Sequence, residues 1–290
     1  MRWYDYDAYY GRSTSKLPGT LKVAPGVASP QLRNRRDLTV WLPPGYDGSR
    51  RLPVLYMQDG QNLFDPSSSY AGHWAVAETM AFLAARGRPA IAVGIPNAGK
   101  RRILEYSPFV DRYYGGGLGE LYLDFLARTV KPLIDSSFAT RPEPEATGLV
   151  GASLGGILAV YGLAERPDVF GLCAALSPSC WFARQALNRH LTGISRAEGR
   201  FYLDVGMGEG RRSWRPPART STGGSGTTRG TRFTNAVDRV AKKLSKKLPK
   251  TAGAAGRDLL YVVDPVGEHN ERHWRRRLPI ALNFLLADPR

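Results

Sequence analysis

The feature that most constrains this chain is a regular alternation of short apolar runs with longer helix-like segments. Residues 53–57 (PVLYM), 89–95 (PAIAVGI), 147–152 (TGLVGA), 172–176 (LCAAL), 201–205 (FYLDV) and 258–263 (DLLYVV) are short and almost continuously apolar. Runs of this kind fit strands buried on both faces. Residues 36–42 (RDLTVWL) read as a further strand, stopped by Pro43-Pro44-Gly45 because proline removes ladder donors. Between the strands, residues 74–86, 118–135, 154–164 and 271–286 are rich in strong helix formers. Pro132 is expected to kink or break the second of these near its end. Strand–helix alternation predicts a mostly parallel sheet with helices on both faces, a three-layer α/β sandwich.

Two segments break the rhythm. Residues 1–30, aromatic and then rich in Pro, Gly and Ser, read as a flexible arm over the surface. Residues 210–232 are rich in Gly, Ser, Thr and Arg and read as a mobile surface excursion. Residues 31–290 then form a single domain, an ordinary size for an α/β fold. No repeat at a fixed period is visible. The first residues (MRWYDYDAYYGRSTSK) lack a secretory h-region, and no apolar run approaches the roughly 18 residues of a membrane span. The expectation is a cytoplasmic chain without a membrane partner. Cys173 and Cys180 are too few for a disulfide framework and read as packed, reduced thiols.

The chain carries 41 Lys+Arg against 25 Asp+Glu, a formal net charge of +16. Such a surface favours anionic ligands. The basic residues are scattered, however, and no zinc-finger or RNP-type motif accompanies them, so no specific nucleic-acid partner is expected. In residues 237–248, Val237, Val240, Leu244 and Leu248 recur at helical spacing, which puts Lys242, Lys243, Lys246 and Lys247 mostly on the outer side.

The strongest local motif is Gly151-Ala152-Ser153-Leu154-Gly155, a G-x-S-x-G placed directly after a buried strand and opening a helix. The tight turn admits only small flanking residues, lifts the serine oxygen above the sheet edge, and sets it over a helix N-terminus that favours negative charge. Ser153 is the candidate nucleophile. A serine hydroxyl needs a base. The order nucleophile, acid, histidine along this kind of fold selects among His73, His190, His269 and His273. His269 is favoured because it follows the last strand and precedes the last helix. His273 falls inside that helix.

The acid is sought after the strand 201–205. Glu209 lies there between glycines, while Asp204 within the strand and Asp264 at the end of the next strand stay open as alternatives. Two backbone N–H donors are needed for an oxyanion. Leu154, next after the nucleophile, supplies one. The turn Gln58-Asp59-Gly60-Gln61-Asn62 supplies the other, with Gln61 preferred to Gly60.

These segments resemble the Putative esterase family, which groups enterochelin esterases, S-formylglutathione hydrolases and mycolyltransferases. The resemblance runs through most of residues 33–286 and rests on RNRRDLTVWLPPGYD, LYMQDGQNLFD, GIPNAGKRRILEYSPF, GLVGASLGG, LSPSCWF, YLDVGMGEG and VGEHNERHWRRRLPIALNFLL. It implies an α/β-hydrolase fold, a Ser153–His269–Glu209 triad, cleavage of small-molecule esters or thioesters through an acyl-enzyme, and no obligatory cofactor. It also puts Glu105, Tyr106, Ser177, Trp181 and Trp274 near the active site as pocket candidates. The positive charge suggests anionic esters of phenolic or siderophore type. An acyltransferase with the same triad, or a non-catalytic basic binding protein, are the alternatives, and the oligomeric state stays open.

Overall fold

The computed structural model describes residues 1–12, 17–69, 72–210, 231–249 and 258–287. The chain opens with a short strand β1 (Tyr4–Asp5) and helix α1 (Tyr6–Tyr10), then β2 (Thr20–Ser29), β3 (Asn34–Leu42) and β4 (Val54–Gln58). Next come α2 (Val76–Ala84), β5 (Ile91–Ile95), α3 (Arg102–Tyr106), a small hairpin β6 (Val110–Asp111) and β7 (Gly115–Gly116), then α4 (Gly119–Phe125) and α5 (Lys131–Ser137). The second half alternates β8 (Thr147–Ala152), α6 (Leu154–Glu165), β9 (Leu172–Leu176), α7 (Phe182–Gly193), β10 (Arg200–Gly206), α8 (Arg232–Lys247), β11 (Leu259–Asp264) and α9 (Glu271–Leu285).

Nine strands form one sheet in the order β1-β2-β3-β5-β4-β8-β9-β10-β11. From β5 to β11 every neighbouring pair is parallel, and β1, β2 and β3 extend the sheet antiparallel. Side chains alternate between two cores, as strand geometry requires. Val54, Tyr56, Leu149, Cys173, Phe201 and Leu203 face one helical layer. Leu55, Met57, Val150, Ala174 and Tyr202 face the other, where Trp74, Met80, Trp274 and Leu278 complete the packing. Helix α6 is buried almost all round, as its unbroken run LGGILAVYGL demands. Truncating a fully buried residue there, such as Leu158, is expected to cost about 2–5 kcal/mol.

Three expectations need correction. Part of the expected arm, residues 1–30, is sheet. Strand β2 pairs along β3, and a register shift between Ala24 and Val27 absorbs Pro25-Gly26. Ahead of it, Tyr6 is buried with its hydroxyl donating to Asp65. The helix expected over 118–135 is broken earlier than Pro132 itself: residues Leu126–Val130 widen into a π turn between α4 and α5. Proline lacks an N–H and its ring clashes with the carbonyl four residues back, so the preceding turn opens. On α8, Lys242 and Lys246 are exposed as expected, but Lys243 and Lys247 are half-buried. The Lys243 ammonium donates to the Asn188 carbonyl within α7, and the Lys247 ammonium to the Ile194 carbonyl at its C-cap. The excursion expected over 210–232 falls, apart from its ends, outside the described residues. Cys173 and Cys180 are both free and buried. Among the described residues no helix is long and apolar enough to cross a membrane.

Candidate active site

Strands β8, β10 and β11 each end on the same rim of the sheet, and each delivers one side chain there. Ser153 follows β8 with φ 58 and ψ −119, a conformation non-glycine residues rarely adopt and one that costs on the order of 1–3 kcal/mol. The elbow can form because Gly151 has no side chain. A Cβ there would stand 2.5 Å from the Gly155 carbonyl and 2.4 Å from Gln58 Oε1. The next loop holds the strained serine from both sides. The Ser153 N–H donates to the Leu176 carbonyl at 3.1 Å, and the Ser179 N–H donates to the Ser153 carbonyl at 3.0 Å.

His269 sits between β11 and α9. Its Nε2 is 3.0 Å from Ser153 Oγ and its Nδ1 is 3.0 Å from Glu209 Oε2. A carboxylate only accepts, so Nδ1 carries the proton and Nε2 presents its lone pair to the serine hydroxyl. Glu209 lies in the turn after β10 and is fully buried. Its Oε1 accepts the Ser177 hydroxyl at 2.5 Å and the Gly206 N–H at 2.6 Å, which leaves Oε2 for the histidine. Burial alone works against the charged carboxylate, but the bonds from His269, Ser177 and Gly206 outweigh it and hold the Glu209 carboxyl below its ordinary range.

Behind the acid is a buried charged network. Arg277, on α9, reaches Asp204 at 3.1 Å, Asp264 at 3.4 Å and Glu209 at 3.7 Å, and donates to Ser177 Oγ at 2.6 Å. The Trp274 indole N–H, one helical turn earlier, donates to the same Oγ at 3.0 Å. Asp204 also accepts the Ser177 N–H at 2.8 Å and the Tyr202 hydroxyl at 2.9 Å. Desolvation pushes the Asp204 carboxyl up to about 6, although Arg277 works against this. Asp204 and Asp264, the alternative acids, are thus both turned to Arg277, and Glu209 is the carboxylate on the histidine.

The turn after β4 is built for tight approach. Asp59 has φ 55, and a Cβ on Gly60 would meet the Gly94 and Ile95 backbone at 2.6 Å. Neither the Gln61 N–H nor the Leu154 N–H donates to an acceptor among the described residues. The turn is clamped from the segment after β5. Arg102 grips Asp59 through two bonds of 2.8 Å, and Asn97 Nδ2 donates to the same carboxylate at 2.6 Å. The Asn97 N–H donates to Gln61 Oε1 at 3.2 Å, and the Asp59 N–H to the Tyr106 hydroxyl at 2.9 Å.

The pocket candidates divide. Glu105 is fully buried and bonded to Arg36 at 3.0 Å and Asn34 at 2.8 Å, so it is a structural ion pair and not a lining residue. Tyr106 is fully buried under the Asp59 turn. Ser177 stands behind Glu209. Trp274 packs edge-on to the His269 ring at 5.2 Å between centroids. Trp181 is half-buried and contacts Phe233, which in turn lies 5.7 Å from His269, and the half-exposed Tyr114 extends this aromatic wall. Phe233, Ser179, Asn97, Arg102 and Arg277 were not singled out from sequence. Arg277 was hidden inside a run of arginines, although its spacing of three from Trp274 places both on one helix face. His190 pairs with Glu165 at 2.8 Å, away from the triad. Among the described residues no group of His, Cys, Asp and Glu is arranged to hold a metal ion.

Comparison with known proteins shows the family and the fold. The Putative esterase family model matches residues 29–285. The uncharacterized protein YbbA of Bacillus subtilis is 30% identical over 193 residues, covering 64% of this chain and 74% of that protein. The siderophore triacetylfusarinine C esterase of Aspergillus fumigatus is 33% identical over 143 residues, and the match spans 47% of each chain. The chain thus spans about half the length of that esterase. Among solved structures, the enterobactin esterase of Shigella flexneri superposes with a TM-score of 0.65 at 18% identity, over 93% of this chain and 59% of that one. The fold is of the α/β-hydrolase type.

Proposed function

The chain belongs to the Putative esterase family, and from that premise we propose that it is a serine hydrolase of carboxylic esters working through Ser153, His269 and Glu209. The observation that carries this reading is the unbroken line from Ser153 Oγ to His269 Nε2 and from His269 Nδ1 to Glu209 Oε2, each step 3.0 Å. Ser153 Oγ attacks the acyl carbon, and His269 takes its proton. The Leu154 and Gln61 N–H groups receive the oxyanion. His269 then protonates the leaving alcohol, and a water activated by the same imidazole releases the acid. Glu209 keeps the imidazole in the tautomer this requires and balances its charge when it is protonated.

For the substrate we propose anionic esters of the phenolic or siderophore type. The net charge of +16 supports this, as does the likeness to a siderophore esterase. The half-exposed wall of Trp181, Phe233 and Tyr114 beside His269 offers rings for an aromatic group to stack on. Hydrolysis of p-nitrophenyl acetate and butyrate by the native chain and by Ser153→Ala, with fluorophosphonate labelling of both, tests the mechanism. Turnover and labelling by the native chain alone support it. Equal behaviour of the two proteins refutes it. Faster turnover of neutral than of carboxylate-bearing esters at low salt would remove the anionic preference.

A further inference from the structure

A second hydroxyl touches the reacting oxygen. Ser179 Oγ lies 3.1 Å from Ser153 Oγ, and Ser179 is 3% exposed. Which of the two donates follows from counting protons. Each hydroxyl has one hydrogen. The Ser153 hydrogen is committed to His269 Nε2, whose own ring proton is on Nδ1 against Glu209. The hydrogen between the two serines therefore comes from Ser179, and Ser153 Oγ accepts it.

The position of Ser179 is set by the sheet. Strand β9 lies between β8, which ends at the nucleophile, and β10, which ends at the acid. Its exit loop, Ser177-Pro178-Ser179, consequently touches both: Ser177 Oγ donates to Glu209 and Ser179 Oγ to Ser153. Ser179 is fixed by its backbone as well, with its N–H on the Ser153 carbonyl at 3.0 Å and its carbonyl accepting the Phe182 N–H at 2.8 Å. Pro178 packs against Gly156 of the nucleophile helix, where a Cβ would stand 3.0 Å from the proline ring.

We propose that Ser179 is a further catalytic residue, a hydrogen-bond donor to the attacking oxygen. The proposal rests on Ser153 being the nucleophile. As the Ser153 proton moves to His269 Nε2, negative charge gathers on Oγ before the bond to the acyl carbon is complete. A hydrogen bond to a charged acceptor is about twice as strong as one to a neutral acceptor. The Ser179 bond therefore strengthens on the way to the transition state, while the same bond holds the Ser153 rotamer in the resting enzyme. Ser179 keeps its proton throughout. Once the carbon–oxygen bond has formed, the charge has passed to the carbonyl oxygen and its two amides.

The test is the second-order rate of fluorophosphonate labelling, with the labelled peptide identified by mass spectrometry, and kcat and KM for p-nitrophenyl butyrate. Ser179→Ala is expected to label Ser153 roughly ten-fold more slowly or worse, with kcat falling in step, KM little changed and the thermal midpoint preserved. Ser179→Cys keeps the size and offers only a weak S–H donor, so it is expected to be slow too, and it serves if the alanine variant fails to fold. Labelling of either folded variant at the native rate overturns the proposal. A native chain that labels at a residue other than Ser153, or not at all, overturns the triad reading and this inference with it.

Discussion

Ser177 Oγ donates to Glu209 Oε1 at 2.5 Å while both of its lone pairs are taken, by the Trp274 indole and the Arg277 guanidinium. The hydroxyl has one hydrogen and it can go only to the acid. Ser177 was a pocket candidate in the sequence, and in the structure it is a lock on the carboxylate. Ser177→Ala is expected to cost about 1–3 kcal/mol of stability by leaving buried donors unmet. It should also lower kcat with KM little changed, since Glu209 loses the bond that aims it. Denaturant unfolding and ester kinetics on the same preparation check both halves.

Arg277 is the one cation shown within 4 Å of both Asp204 and Glu209 among the described residues, and it also reaches Asp264. Replacing it strands buried carboxylates. Arg277→Met is expected to destabilise the fold by about 3–5 kcal/mol, a far larger loss than removal of a surface arginine such as Arg128 would bring. Urea midpoints of the two variants make the comparison.

The two buried acids of this network should give opposite pH signatures. The Glu209 carboxyl lies below its ordinary 4.5. Its ionisation therefore contributes stability that is present above that value and is lost as pH falls through the lower folded-state value. Asp204 is raised from 3.8 to about 6. Its contribution is full below about 3.8 and is lost as pH rises through about 6. Glu209→Gln should accordingly flatten the acid limb of a stability-against-pH curve, and Asp204→Asn should flatten the segment between about 4 and 6. Thermal melts across pH 3–8 read both. Identical curves for native and variant chains would contradict this assignment of the two carboxyls.

The grip of Arg102 on Asp59 stiffens the turn that carries the Gln61 and Gly60 amides. In the proposed mechanism an oxyanion forms against this turn only in the transition state, so loosening it should lower kcat more than it raises KM. Arg102→Ala is expected to reduce kcat roughly ten-fold, and Arg102→Lys should recover little because lysine has no fork to match the carboxylate. A rise in KM at constant kcat would instead make Arg102 a substrate-binding residue.

What the sequence made legible follows a physical division. Ser153 and His269, which the structure sets 3.0 Å apart, could be paired from sequence because the pattern at each is local: a glycine-flanked elbow needs no knowledge of distant residues, and a histidine between the last strand and the last helix has few places to go. Glu209 needed one more step, the order of strands, and competed with Asp204 and Asp264, which the structure turns to Arg277 while Glu209 alone of the three reaches His269 Nδ1. Ser179 and Arg277 were invisible for the opposite reason. A serine in a loop and an arginine in an arginine run carry no pattern, and they acquire meaning only when β9 is set between β8 and β10 and α9 is laid across their ends. Strand β2 was missed because Pro25-Gly26 breaks its alternation, and the bulge that repairs it is a property of the pairing with β3.

His269, the proposed base, hangs from the margin of the sheet. Among the described residues strand β11 has a neighbour on one side only, and the His269 loop leaves directly from its end, whereas Ser153 and Glu209 follow strands held on both flanks. On the proposed mechanism, catalysis is thus tied to the integrity of a selvedge. Mild heat or denaturant that peels this border is expected to draw the imidazole away from the serine while the interior stays woven, so ester turnover should fall before the circular-dichroism signal does and return on cooling or dilution.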